Sequence, residues 1–171
     1  MTVVDSSALI HLSRIGKLEL LKTLFKHVAI TKEIVAETTQ KNFAGALAIE
    51  NALNNWILVS EPRNATQVKE ISSMKGIEPA DASIIVLALE RREALLSNDF
   101  ALIRLAESLG IECLWLTTFI LKCVKQRIVT KEEAKDILFQ LVSSGMRLSI
   151  EVYAELQKKI DELPTQNTLK T

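Results

Sequence analysis

The chain has 171 residues, 48% of them hydrophobic and 25% charged, and its 21 basic side chains balance 21 acidic ones. That length fits one domain with a sizeable core, and that composition excludes a disordered chain. The zero balance excludes a strongly basic protein that holds nucleic acid by overall charge, and no apolar run approaches the ~20 residues of a membrane helix.

The N-terminal stretch MTVVDSSALIHL lacks a basic region and a small-residue cleavage site, so no secretory signal is expected. Cys113 and Cys123 form neither a disulfide framework nor a CxxC pair, which fits a reducing cytoplasm. In chain order, the predicted strands are Val3-Val4, Val28 to Ile30, Ile57 to Val59, Ala94 to Leu96 and Cys113 to Leu116. Each is short and apolar throughout, as parallel strands covered on both faces should be.

Helical patterns fall between them. One follows Thr31 and carries Ile34, Val35 and Glu37; another runs from Ala44 to Asn54. Pro79 suits the first position of a third, rich in Ile84, Ile85, Leu87, Ala88 and Leu89, and a fourth runs from Phe100 to Leu109 before Gly110. Strands alternating with helices predict a three-layer α/β/α domain with a mainly parallel sheet of about five strands. We place this domain at residues 1–128, a helical extension at 129–163 and a polar tail at 164–171. In the extension, Thr130 to Glu133 has the form of a capping box, and Ala134, Ile137, Leu138, Leu141 and Val142 share one helix face. Gly145 ends that helix, Ser149 caps the next, and Tyr153, Leu156 and Ile160 give it an apolar stripe. These helices cover either their own domain or a partner chain.

In a parallel α/β sheet, ligands bind beyond the carboxyl ends of the strands. Asp5 follows the first predicted strand, with Ser6 and Ser7, and Ser97-Asn98-Asp99 follows the fourth. Glu37 sits in the helix after the second strand, and Asp81 opens the helix that leads into the fourth. Singly, each has an ordinary explanation: Asp5 and Asp99 as helix caps, Asp81 as a first-turn acid favoured by the helix dipole, Glu37 as a surface residue. Together they are predicted at one end of the sheet. Two unit charges ~4 Å apart repel by ~4 kcal/mol at an effective dielectric near 20, so four converging carboxylates call for a cation. Hard divalent ions such as Mg²⁺ or Mn²⁺ take oxygen ligands, activate water and stabilise charge on a phosphoryl group.

Four segments carry a resemblance: Val3-Val4-Asp5-Ser6-Ser7, Ile34-Val35-Ala36-Glu37, Ala80-Asp81-Ala82-Ser83-Ile84-Ile85, and Leu96-Ser97-Asn98-Asp99 with the helix and Gly110-Ile111 that follow. They span residues 1 to about 116 and resemble the PIN-domain family, particularly its VapC-type toxin ribonucleases. The tail, with Ser144 to Ser149 followed by Tyr153, is similar to that of a PIN-like subgroup with two C-terminal helices. The resemblance implies a Mg²⁺- or Mn²⁺-dependent endoribonuclease. Asp5, Glu37, Asp81 and Asp99 would surround the metal, directly or through water, while Ser97, and secondarily Ser6, would orient a carboxylate or the attacking water. Glu78 is a peripheral extra acid, and some members of that subgroup carry a double acid where this chain has Asn98-Asp99.

His11 and His27 are expected to be structural or solvent-facing. Lys41, Lys75 and Arg104 are candidate contacts to RNA phosphates, and one Tyr with two Trp leaves no broad stacking platform. The implied partners are RNA, a small antitoxin and a second copy in a homodimer, with no membrane and a cytoplasmic location. Two alternatives stay open: a non-catalytic module that binds RNA or protein, and a housekeeping RNA-processing nuclease. A haloacid-dehalogenase-type phosphatase is disfavoured, because the second Asp it needs is Ser7 here.

Overall fold

The computed structural model describes residues 1–39 and 43–164. Five strands, β1 (Thr2–Val4), β2 (Val28–Ile30), β3 (Ile57–Val59), β4 (Leu95–Ser97) and β5 (Cys113–Trp115), form one sheet in the order β3-β2-β1-β4-β5. All four pairings are parallel, so the mainly parallel sheet predicted above is wholly so. The three central strands are buried at every position, which is why their sequences are apolar without alternation. Edge strand β3 leaves Leu58 and Val59 exposed.

The helices are α1 (Ser6–Arg14), α2 (Glu19–Phe25), α3 (Lys32–Thr39), α4 (Ala46–Leu53), α5 (Ala65–Ser72), α6 (Pro79–Arg91), α7 (Phe100–Ser108), α8 (Leu116–Lys125), α9 (Lys131–Ser143) and α10 (Ile150–Glu162). Right-handed crossovers, the near-universal hand of such connections, put α1 to α4 over one face and α5 to α7 over the other. The packing agrees: α1, α3 and α4 touch one another, α5 lies along α6, α6 covers β1, and α7 covers β4 and β5. The start of α3 is also tied to α6, where the buried hydroxyls of Thr31 and Ser83 meet at 2.8 Å. A hydroxyl pair satisfied in this way avoids the cost of an unpaired buried polar group.

The strand order reverses at β1, whose neighbours β2 and β4 are reached in opposite directions. Such a switch point opens a crevice beyond the carboxyl ends of the strands, here the ends of β1 and β4. The fourth strand lies one residue later than its apolar run suggests. Ser97 is therefore inside the sheet and fully buried, not in the loop after it.

The chain divides into two compact units, one ending at Leu116 and one beginning at Thr117. In the second, α9 and α10 pack together. Thr130 and Glu133 form the predicted capping box, and Ser149 caps α10 through the amide of Val152. Ala134, Ile137, Leu138 and Leu141 are buried, whereas Val142 from the predicted stripe is partly exposed.

Candidate functional site

Three aspartates stand at three helix N-termini. Asp5 leaves β1 and caps α1, Asp99 follows β4 after one residue and caps α7, and Asp81 is the third residue of α6, two after Pro79. Each helix start favours a nearby negative charge by ~0.3–1 kcal/mol, and each carboxylate satisfies a helix amide. Asp5 accepts from the amide of Ser7 at 3.2 Å, Asp81 from that of Glu78 at 3.0 Å, and Asp99 from that of Leu102 at 2.8 Å. The ordinary explanations therefore hold as far as they go, Asp5 and Asp99 as caps and Asp81 as an acid in the first turn of its helix.

Capping does not explain the rest of the geometry. Asp5 is buried, and its Oδ2 also accepts from the hydroxyls of Ser7 at 2.6 Å and Ser97 at 2.9 Å. Those two oxygens in turn accept from consecutive backbone amides: Ser7 from Asn98 and Ser97 from Asp99, each at 2.9 Å. Two hydroxyls thus stitch the β1 carboxylate to the turn that carries Asp99. Ser6, the secondary candidate, reaches only Oδ1 of Asp5, at 3.4 Å, and Ser7 takes the place expected of it. The signal was available, because a residue two positions after an N-cap Asp offers its amide and its hydroxyl to the same carboxylate.

Electrostatics link Asp81 to the other two. Its carboxyl is pushed up to about 6, first by burial and then by the negative charges of Asp5, Asp99 and Glu78, against the downward pull of the Glu78 amide. A carboxylate that feels two others from separate elements marks an excess of negative charge that the protein does not balance. Glu78 is exposed and contributes its backbone amide and its charge to this environment. Glu37 is half-buried on α3, and no hydrogen bond or ion pair joins it to the three aspartates among the described residues.

The donor set suits a hard cation, being all oxygen. Among the described residues, no second protein donor holds the remaining oxygen of Asp81 or Asp99, and that of Asp5 takes only the long Ser6 contact. As the side chains stand, no three His, Cys, Asp or Glu groups among the described residues are close enough to share one ion. Coordination of Mg²⁺ partly through water, its common habit, is compatible with that spacing.

The remaining sequence candidates lie apart. Half-buried His11 on α1 has its pKa lowered by burial and by Arg14, which keeps it neutral, and His27 is exposed. Lys75 is exposed in the turn before α6 and Arg104 is exposed on α7, while Lys41 lies outside the described residues. A cavity of about 880 Å³ lies beside β3 and α6, lined by Ser60, Glu61, Arg63, Asn64, Glu90 and Arg91 among others. It contains none of the aspartates. Its acids are already engaged, Glu61 by Lys32 at 2.9 Å and Glu90 by the amides of Arg63 and Asn64.

No curated protein matches the chain. Among solved structures it is similar to a PilT N-terminus domain protein from the hyperthermophilic archaeon Sulfolobus solfataricus P2, at 19% identity and a TM-score of 0.49. That match covers 71% of this chain and 91% of the other. The family model described as DUF3368: PIN domain matches residues 1–162. The matched span takes in the first compact unit, the second as far as residue 162 and every aspartate described above, and the chain belongs to the PIN-domain family, whose members are generally metal-dependent nucleases.

Proposed function

We propose that the protein is a Mg²⁺- or Mn²⁺-dependent endoribonuclease in which Asp5, Asp81 and Asp99 hold the metal and Glu37 completes the acidic pocket. The observation that carries this reading is the buried Asp5 carboxylate, stitched through Ser7 and Ser97 to the turn that carries Asp99, with Asp81 raised to about 6 first by burial and then by the charges of both. A bound ion would supply an activated water and neutralise charge developing on the phosphoryl group. Ser97 and Ser7 fix Asp5 by donating to one oxygen, and the other, which takes only the long Ser6 contact, would be the one to meet an ion. Ser97 also accepts the Asp99 amide, so one buried hydroxyl sets the relative position of two acids. The serines act as positioning residues.

The resemblance to VapC-type proteins supports a biological role as the toxin of a type II toxin–antitoxin pair. In that role it would act as a cytoplasmic homodimer restrained by a small antitoxin, and the alternative is a housekeeping RNA-processing nuclease. The wide spacing of the acids favours a second reading, a non-catalytic module that binds RNA or protein.

Cleavage of a labelled single-stranded RNA with Mg²⁺, Mn²⁺ or EDTA tests the proposal. We expect cleavage that needs the ion and falls ~100-fold or more in Asp81→Asn and Asp99→Asn, because each ligand serves several kcal/mol of transition-state stabilisation. Growth arrest on expression, relieved by Asp99→Asn, is the outcome expected of a toxin. RNA binding without cleavage under every metal condition establishes the non-catalytic module instead.

A further inference from the structure

Phe100 follows Asp99 directly, opens α7 and is 68% exposed. Its ring packs on that of Trp115 with centroids 6.3 Å apart and planes tilted by 39°, so it is braced while most of its surface stays open. Trp115 ends β5 and is paired in register with Ser97, which donates to Asp5. The two rings therefore belong to the strand edge that carries the aspartates. Leu102, Ile103 and Ala106 form the buried side of α7. Phe100 and Arg104, four residues apart, are neighbours on its open side. Among the described residues Arg104 has only a 3.7 Å ion pair with Glu107, both side chains being well exposed, and such a pair holds its cation weakly.

A single exposed ring is ordinary on a protein surface, so what singles out Phe100 is its packing on Trp115 directly beside Asp99. The charges say what suits the place. The acidic pocket repels phosphates, so RNA lying there needs a cation and an uncharged contact just outside it. Arg104 and Phe100 are that pair, on one helix face and beginning one residue beyond Asp99.

We propose that Phe100, braced by Trp115, is a stacking shelf for one unpaired base beside the scissile phosphate, and that Arg104 holds a flanking phosphate. This rests on the ribonuclease reading of Asp5, Asp81 and Asp99. Every base has a π-face, so the shelf selects for a splayed-out nucleotide and not for a particular sequence. The low aromatic content that argues against a broad platform is compatible with a shelf for one base.

The test is binding of the full-length protein to a labelled eight-nucleotide RNA by fluorescence anisotropy in Ca²⁺ and Mg²⁺, with one abasic nucleotide moved through each position. Phe100→Ala should weaken binding about tenfold, and Phe100→Trp should restore it. One abasic position should cost the wild type about tenfold and Phe100→Ala almost nothing more, a coupling that a general structural defect would not produce. Arg104→Ala should reduce the slope of log affinity against log salt by about 1. If the wild type binds and cleaves RNA but every abasic position costs both proteins equally, the shelf is refuted and the ribonuclease reading stands. If the wild type neither binds nor cleaves RNA, that reading fails and the shelf with it. If light scattering shows that Phe100→Ala breaks a dimer while RNA affinity is unchanged, the ring is a protein interface and the proposal is wrong.

Discussion

Asp5, Asp81 and Asp99 each hold a helix amide, and each would be unremarked at any other helix start. What sets them apart is that one cannot lose its proton freely. In the folded metal-free protein Asp81 titrates near 6, whereas an unfolded aspartate does so near about 3.9. Between those values the folded state binds more protons, so stability falls as pH rises through the window, and the full cost is present above it. We expect the melting temperature of the wild type in EDTA, relative to Asp81→Asn, to fall between pH 4 and pH 7 (about the span of the two pKa values). Asn keeps an oxygen for the Glu78 amide, so the comparison isolates the charge. Parallel curves for the two proteins would show that Asp81 is not strained by its neighbours.

At this scale the sequence pointed to Asp5, Ser97 and Asp99 through their positions after apolar runs, and to Asp81 through its place in the first turn of the helix that Pro79 opens. It did not distinguish Ser6 from Ser7, because that choice depends on whether Asp5 ends a strand or starts a helix, and it does both. Glu37 shows the reverse: its place in the pattern is clear, yet its side chain is not joined to the others.

Among the elements, the three central strands were legible because fully buried parallel strands leave uninterrupted apolar runs, and the edge strands β3 and β5 keep apolar runs though partly exposed. The helices α3, α6, α7, α9 and α10 were legible through caps, Pro79 and stopping glycines. Four others were not. α2 and α5 are short, and Leu21 and Ile71 are the buried side chains that mark them. α1 begins directly after its cap Asp5, which itself follows β1 at once, so no loop separates strand from helix. α8 starts directly after β5, so a single apolar run from Cys113 to Leu116 hid the junction.

One element is fixed by a close approach that no periodicity announces. Gly45 caps α4 with φ at +107°, and a Cβ there would lie 2.6 Å from the carbonyl carbon of Ser13 and 2.7 Å from its oxygen. The start of α4 therefore rests on the backbone end of α1. Gly45→Ala combines a disfavoured φ with overpacking, and should cost about 2–4 kcal/mol in urea unfolding. A change within about 0.5 kcal/mol, the range of an ordinary surface substitution, would mean that α4 is not seated in this way.

For the whole molecule, zero net charge no longer argues against nucleic acid. An acidic pocket withdraws several carboxylates from the surface, and the remainder of the chain is mildly basic. The topology concentrates that charge. The strand order reverses at β1, so the N-termini of α1 and α7 meet at one crevice, and Asp81 at the start of α6 shares their electrostatic field. Their dipoles offset part of the repulsion, while burial and then the charges of Asp5, Asp99 and Glu78 still raise the Asp81 pKa.

A cation remains the simplest means of balancing the rest. Anomalous diffraction from a crystal soaked in Mn²⁺ tests this most directly. The expected result is a peak among the carboxylates of Asp5, Asp81 and Asp99 that disappears in Asp81→Asn. A soaked wild-type crystal with Mn²⁺ bound elsewhere and no density among those three side chains would contradict it.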